Sequence, residues 1–88
     1  MKYYDWDAEK GEKLVKERNL SFEEVVFSIG QGQVLDIIEH PNKAKYKNQK
    51  IFVVRINDYA YLVPFVETED RIFLKTIIPS RKATQKYL

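Results

Sequence analysis

Ten of the fifteen Lys and Arg residues of this chain lie in residues 41–88, and several of them gather in two groups. Lys43, Lys45, Lys47 and Lys50 line one polar stretch. Arg81, Lys82 and Lys86 form the other, with Tyr87 beside them. Cleavage of a phosphodiester within RNA needs little more than such a set. The 2′-hydroxyl of the substrate is the nucleophile. The protein must position it, stabilise the extra negative charge on phosphorus, and move two protons. Arg and Lys can stabilise the charge, and Lys or Tyr can carry the protons without a metal. The competing reading is a solvated basic loop and tail, and spacing alone does not separate the two.

Other chemistries lack their residues. There is no Gly-rich phosphate loop, no zinc-ligand spacing and no Ser/His/acid arrangement. With no cysteine, disulfides, thiolate metal sites and cysteine nucleophiles are excluded, and one histidine, His40, rules out a multi-histidine metal site. No cofactor is expected. His40 reads as a surface residue of a His-Pro-Asn turn. Helix capping and turn solubility account for the carboxylate pairs Glu23/Glu24 and Glu67/Glu69.

The charges are unevenly spread. Residues 1–40 hold five Lys/Arg and nine Asp/Glu, a balance of −4, whereas residues 41–88 hold ten and four, a balance of +6. An acidic half joined to a basic half can mark a face that binds polyanions. The composition, 44% hydrophobic and 32% charged over 88 residues, is that of one globular domain spanning 1–88, too small to hold a separate cofactor domain. Met1 to Glu9 has no apolar signal core. The run Ile51-Phe52-Val53-Val54 is far short of the roughly 18 residues that a membrane span needs. A cytoplasmic protein without a membrane partner is expected.

The elements that must position the basic residues follow from local pattern. Asp7 can cap a helix over Ala8 to Arg18, with Glu9/Lys13 and Glu12/Lys16 as i, i+4 pairs. Ser21-Phe22-Glu23-Glu24 fits a capping box, with Leu20 and Val25 as its hydrophobic staple. Phe22, Val25, Val26 and Ile29 share one helical face, and Gly30 offers a stop. The short Asn19-Leu20 link predicts a helical hairpin. Strands are predicted over Val34–Ile38, Lys50–Ile56, Tyr59–Val66 and Arg71–Ile78, with Asn57-Asp58 and Glu67–Asp70 as turns. Pro64 conflicts with a central strand, because it cannot donate to the ladder. Ser80 can cap a short C-terminal helix through Leu88. The expected fold is α+β, the helical hairpin packed on one face of an antiparallel meander of about four strands. The other face would then display Arg55, Arg71 and Lys75 among apolar side chains, a surface suited to nucleic acid.

Three segments, in order, resemble a known family. Tyr4-Asp5-Trp6-Asp7 opens the chain, Leu20-Ser21-Phe22-Glu23-Glu24 starts the second helix, and Arg71-Ile72-Phe73-Leu74-Lys75-Thr76-Ile77-Ile78-Pro79-Ser80-Arg81-Lys82-Ala83 lies near the end. The chain is similar across nearly its whole length to the BrnT-type toxins of bacterial type II toxin–antitoxin systems, within the RelE-like superfamily. The resemblance implies a RelE-like fold and a ribonuclease that blocks translation. It also implies a cognate antitoxin, usually a ribbon-helix-helix protein, in a toxin–antitoxin hetero-oligomer. By position it makes Arg81 the transition-state contact, with Lys50 a basic residue opening a strand and Tyr87 near a functional tyrosine. Lys43, Lys45, Lys47, Arg55, Arg71, Lys75, Lys82 and Lys86 would then contact RNA. The chain departs from the family pattern at Thr76, where Arg is usual, at Pro79-Ser80 in place of Ser-Ala, and at Asn19 in place of His. Two other readings use the same residues. One is a non-enzymatic module that binds RNA or a protein. The other is a basic face that receives an acidic antitoxin segment.

Overall fold

Tyr3–Trp6, ahead of the first predicted helix, forms a strand that local pattern does not predict. The computed structural model describes residues 2–39, 41, 42, 44, 45 and 49–88. Among them it is a mixed α+β domain with three helices and one six-stranded sheet. The elements run β1 (Tyr3–Trp6), α1 (Ala8–Arg18), α2 (Phe22–Gly30), β2 (Val34–Glu39), β3 (Gln49–Ile56), β4 (Tyr59–Glu67), β5 (Arg71–Leu74), β6 (Ile78–Pro79) and α3 (Arg81–Tyr87). His40, Lys43 and Lys47 lie outside the described residues.

The two N-terminal helices form as their caps dictate. The Asp7 carboxylate accepts from the N–H groups of Glu9 and Lys10, and the Ser21 hydroxyl accepts from Glu24 N–H. The return half of the box differs from expectation: Glu24 Oε1 accepts from the Ser21 hydroxyl at 3.3 Å. On α1 the ion pair among the described residues is Lys13–Glu17 at 3.9 Å, not Glu9–Lys13 or Glu12–Lys16. Asn19 turns the chain with φ of 55°, a left-handed value that asparagine tolerates.

The sheet order is β1-β5-β4-β3-β2, with β6 also paired to β4. The strand count exceeds the expected four for two reasons. Tyr3–Trp6 adds a parallel partner to β5, and the predicted long last strand is two pieces. The break at Lys75–Ile77 changes the alternation, so that Ile77 is fully buried beside Leu74 while Ile78 is exposed. It also resolves the Pro64 conflict. Lys75 N–H donates to Pro64 C=O at 2.8 Å, so the backbone of Pro64 faces the β5–β6 side. Its missing N–H falls where that ladder is interrupted.

Strand alternation divides the core. Phe52, Val54, Ile56, Val63, Phe65 and Leu74 face the hairpin and pack with Leu14, Leu20, Phe22 and Val25. Phe52 and Phe65 stack at 4.0 Å across β3 and β4, and Trp6 stacks on Phe22 at 5.6 Å. The opposite face is not open, as expected, but carries α3. Val53, Ala60 and Ala83 form a second small core there, with Leu35, Leu62 and Tyr87 against it.

Both outer strands of the sheet guard their free edges in the same way. Asp5 Oδ1 accepts Trp6 N–H on β1, and Asp36 Oδ1 accepts Ile37 N–H on β2. Each N–H faces away from the neighbouring strand, so the carboxylate occupies a donor that another chain could otherwise pair with. The second oxygen of each aspartate holds a tertiary partner: Arg71 for Asp5 and Tyr87 for Asp36.

Candidate nucleic-acid interface

The third helix begins because Ser80 caps it, its hydroxyl accepting Ala83 N–H at 3.1 Å. It docks because β4 has open backbone groups there. Ser80 N–H donates to Ala60 C=O at 3.0 Å, and Ala60 N–H donates to the Thr84 hydroxyl at 2.9 Å. The first turn of α3 thus completes the rung that β6 leaves unfinished. Ala83, Thr84 and Tyr87 form the inner side, and the Tyr87 hydroxyl donates to Asp36 Oδ2 at 2.5 Å. That bond lowers the pKa of Asp36 and raises that of Tyr87, so the pair rests as carboxylate and neutral phenol.

The outer side of α3 is cationic. Arg81, Lys82, Gln85 and Lys86 are all exposed. Arg81 and Lys82 make no ion pair or hydrogen bond among the described residues. They also stand at the end of the helix where the backbone dipole opposes a cation. Lys86 lies with its ammonium 5.2 Å from the Tyr87 ring centroid. Local structure therefore gives Arg81 and Lys82 no task.

The other predicted cations fare differently. Arg55 is ion-paired with Asp58 across the β3–β4 turn, where Asn57 and Asp58 both have positive φ. Arg71 is held by Asp5 at 2.7 Å and lies 5.1 Å from the Phe73 ring centroid. Both cations are thus ion-paired within the chain, in contrast to the free cationic face expected for them. Lys75 is exposed and without an ion pair among the described residues. Lys45 is exposed, and its N–H donates to the Asn42 side chain at 3.2 Å.

The expected catalytic trio is not brought together. Lys50 lies opposite Phe65 and Glu39 in register, and its charge helps lower the pKa of Glu67, after the larger effect of Lys2. By alternation it shares the hairpin side of the sheet, whereas α3 lies on the other. Phe65 is five residues along β4 from Ala60, where α3 docks, a span of roughly 17 Å. Arg81 and Tyr87 share α3 but project to its outer and inner sides. Among the described residues no cluster of His, Cys, Asp and Glu could hold a metal ion, and no helix is long and apolar enough to cross a membrane.

Sequence reasoning missed Asp36, the acid that fixes Tyr87, and Thr84, which closes the ladder. A lone carboxylate in the apolar run Val34-Leu35-Asp36-Ile37-Ile38 was the available signal for the first, and Thr84 gave none. Compared with protein-family models, curated proteins and solved structures, the chain matches none of them.

Proposed function

We propose that the chain is the toxin of a type II toxin–antitoxin pair, an endoribonuclease that engages RNA through the outer side of α3 and is neutralised by a cognate antitoxin. The observation that carries this reading is the exposed set Arg81, Lys82 and Lys86, two of whose members have no partner among the described residues. Further support comes from the resemblance to BrnT-type toxins, in which Arg81 falls at a functional arginine. The RelE-like arrangement that the resemblance implies is part of this proposal, and the support for it is the order of helical hairpin, mixed sheet and short third helix.

In this reading Arg81 meets the phosphate whose charge grows as the 2′-oxygen attacks phosphorus. The P–O5′ bond breaks, leaving a 2′,3′-cyclic phosphate and a 5′-hydroxyl. The 2′-proton passes to a base, and a second proton reaches the departing 5′-oxygen. The Tyr87 hydroxyl is held by Asp36 on the inner side of α3, so in this reading lysine rather than Tyr87 carries the protons. Purified protein should cleave RNA, free or on ribosomes, and its expression should slow growth. Arg81→Ala should relieve both while leaving the melting temperature unchanged. Intact RNA and normal growth with the wild-type chain would refute the proposal.

A second reading, a module that binds RNA without cutting it, is favoured by the separation of Lys50 from α3 and by the engagement of the Tyr87 hydroxyl with Asp36. Single turnover of labelled RNA distinguishes the two. Binding that weakens steeply with salt and leaves the strand intact identifies the module.

A further inference from the structure

A second surface lies where α2, in the acidic half, meets the β3–β4 turn. A groove of about 880 Å³ opens between α2 and the β3–β4 turn, and none of its lining belongs to α3. Phe27 lines it at 68% exposure, the most exposed large hydrophobic side chain among the described residues. Its helix does not need it there: Phe22 and Val25 already fill the core face, and Ser21 already caps the first turn. Glu23, Glu24 and Asp58 line the same groove. Its one cation, Arg55, is already paired with Asp58, which leaves both glutamates uncompensated within the lining. Towards α1 a second groove of about 530 Å³ shares Glu23 and adds Val15, itself 47% exposed.

An exposed aromatic inside a polar rim is the anatomy of a protein-binding site, with the ring as anchor. The sign of the rim selects the occupant. Nucleic acid is repelled by the two uncompensated glutamates, as is an acidic segment, whereas Lys and Arg would gain partners. We propose that this groove docks a cationic amphipathic segment of a partner protein, an apolar side chain packing on Phe27 and its cations facing Glu23 and Glu24. The site shares no residue with the outer side of α3, so it stands whether or not α3 contacts RNA. It also allows a partner and a polyanion to be bound at once.

The test is an NMR titration of the isotope-labelled full chain with a synthetic amphipathic peptide of Lys and Leu, and with its counterpart carrying Glu in place of Lys. The Lys peptide should shift the amides of Phe27, Ser28 and Asn57, and the Glu peptide should not. Phe27→Ser should weaken binding by roughly tenfold or more, and Glu23→Gln should weaken it less. The amide dispersion of each free variant reports that it is folded. The proposal is overturned if the Lys peptide leaves these amides unmoved, if Phe27→Ser binds as well as wild type, or if the Glu peptide binds equally. It is also overturned if dilution of the chain without peptide moves the same amides, since the occupant is then a second copy.

Discussion

Replacing Thr84 by Val changes one hydroxyl into a methyl at almost constant shape, and it should loosen the third helix from the sheet. Ala60 is fully buried, and its N–H has the Thr84 hydroxyl as acceptor at 2.9 Å. The same hydroxyl donates to Ser80 C=O at 2.8 Å. Valine offers neither bond. Helix propensity scarcely separates Val from Thr, so the helix itself is not the source of the effect. The cost is that of a buried backbone donor left without an acceptor, about 1–3 kcal/mol. In a domain of this size each kcal/mol lowers the melting temperature by about 4–8 °C, so a central cost of about 2 kcal/mol corresponds to roughly 8–16 °C. Urea and thermal unfolding, followed by circular dichroism and by Trp6 fluorescence, measure the loss. Hydrogen exchange at the Ala60 amide reports whether that donor has been freed. Thr84→Ser keeps both bonds and should lose clearly less. If Thr84→Val and Thr84→Ser agree within about 0.5 kcal/mol, the hydroxyl does not complete the ladder and the reasoning fails.

Other perturbations follow from the same contacts. Gly11→Ala should stabilise the chain by about 0.5–1 kcal/mol through helix propensity, because the added methyl meets Trp6 and Phe22 at ordinary contact distances of 3.5–3.6 Å; a lower urea midpoint would reveal a clash instead. The bond between Tyr87 and Asp36 ties the docking of α3 to pH at both ends. Asp36 has a lowered pKa, chiefly from the Tyr87 hydroxyl and then from Ile37 N–H, so its contribution is present above the ordinary carboxylate range and lost as pH falls below about 4. Tyr87 has a raised pKa, chiefly from Asp36, so its contribution is present below about pH 10 and lost as pH rises through the folded value. Tyr87→Phe should flatten both limbs of the melting-temperature profile, and unchanged limbs would count against the pairing. Arg81→Ala should leave unfolding within about 0.5 kcal/mol of wild type, as expected for an exposed side chain without partners; a larger loss by calorimetry would return Arg81 to a structural role.

The legibility of the chain followed how local each cause was. Ser21, Asp7 and Asn57-Asp58 act on backbone groups two or three residues away, and their caps and turn lie where the pattern predicts. The helix face of Phe22 and Val25, and the strand face of Phe52, Val54 and Ile56, follow from helical and strand periodicity and meet in one core. Tyr3–Trp6 was not legible as a strand, because four residues carry little periodicity and its partner β5 is nearly seventy residues away in sequence. Arg71 reads as a free cation because its partner Asp5 is 66 residues away, whereas Asp58, the partner of Arg55, lies only three residues on across the predicted turn.

The α+β order, the helical hairpin and the division into an acidic and a basic half are all readable from the chain, since each depends on neighbouring residues or on counting. Which cations remain available depends on long-range contacts. Folding brings Asp5 to Arg71 and leaves Arg81 and Lys82 outward on a helix whose other side is tied to the sheet by Thr84 and Tyr87. The Asp5–Arg71 pair forms because β1 lies beside β5, and that adjacency is a property of strand order, which local pattern does not encode.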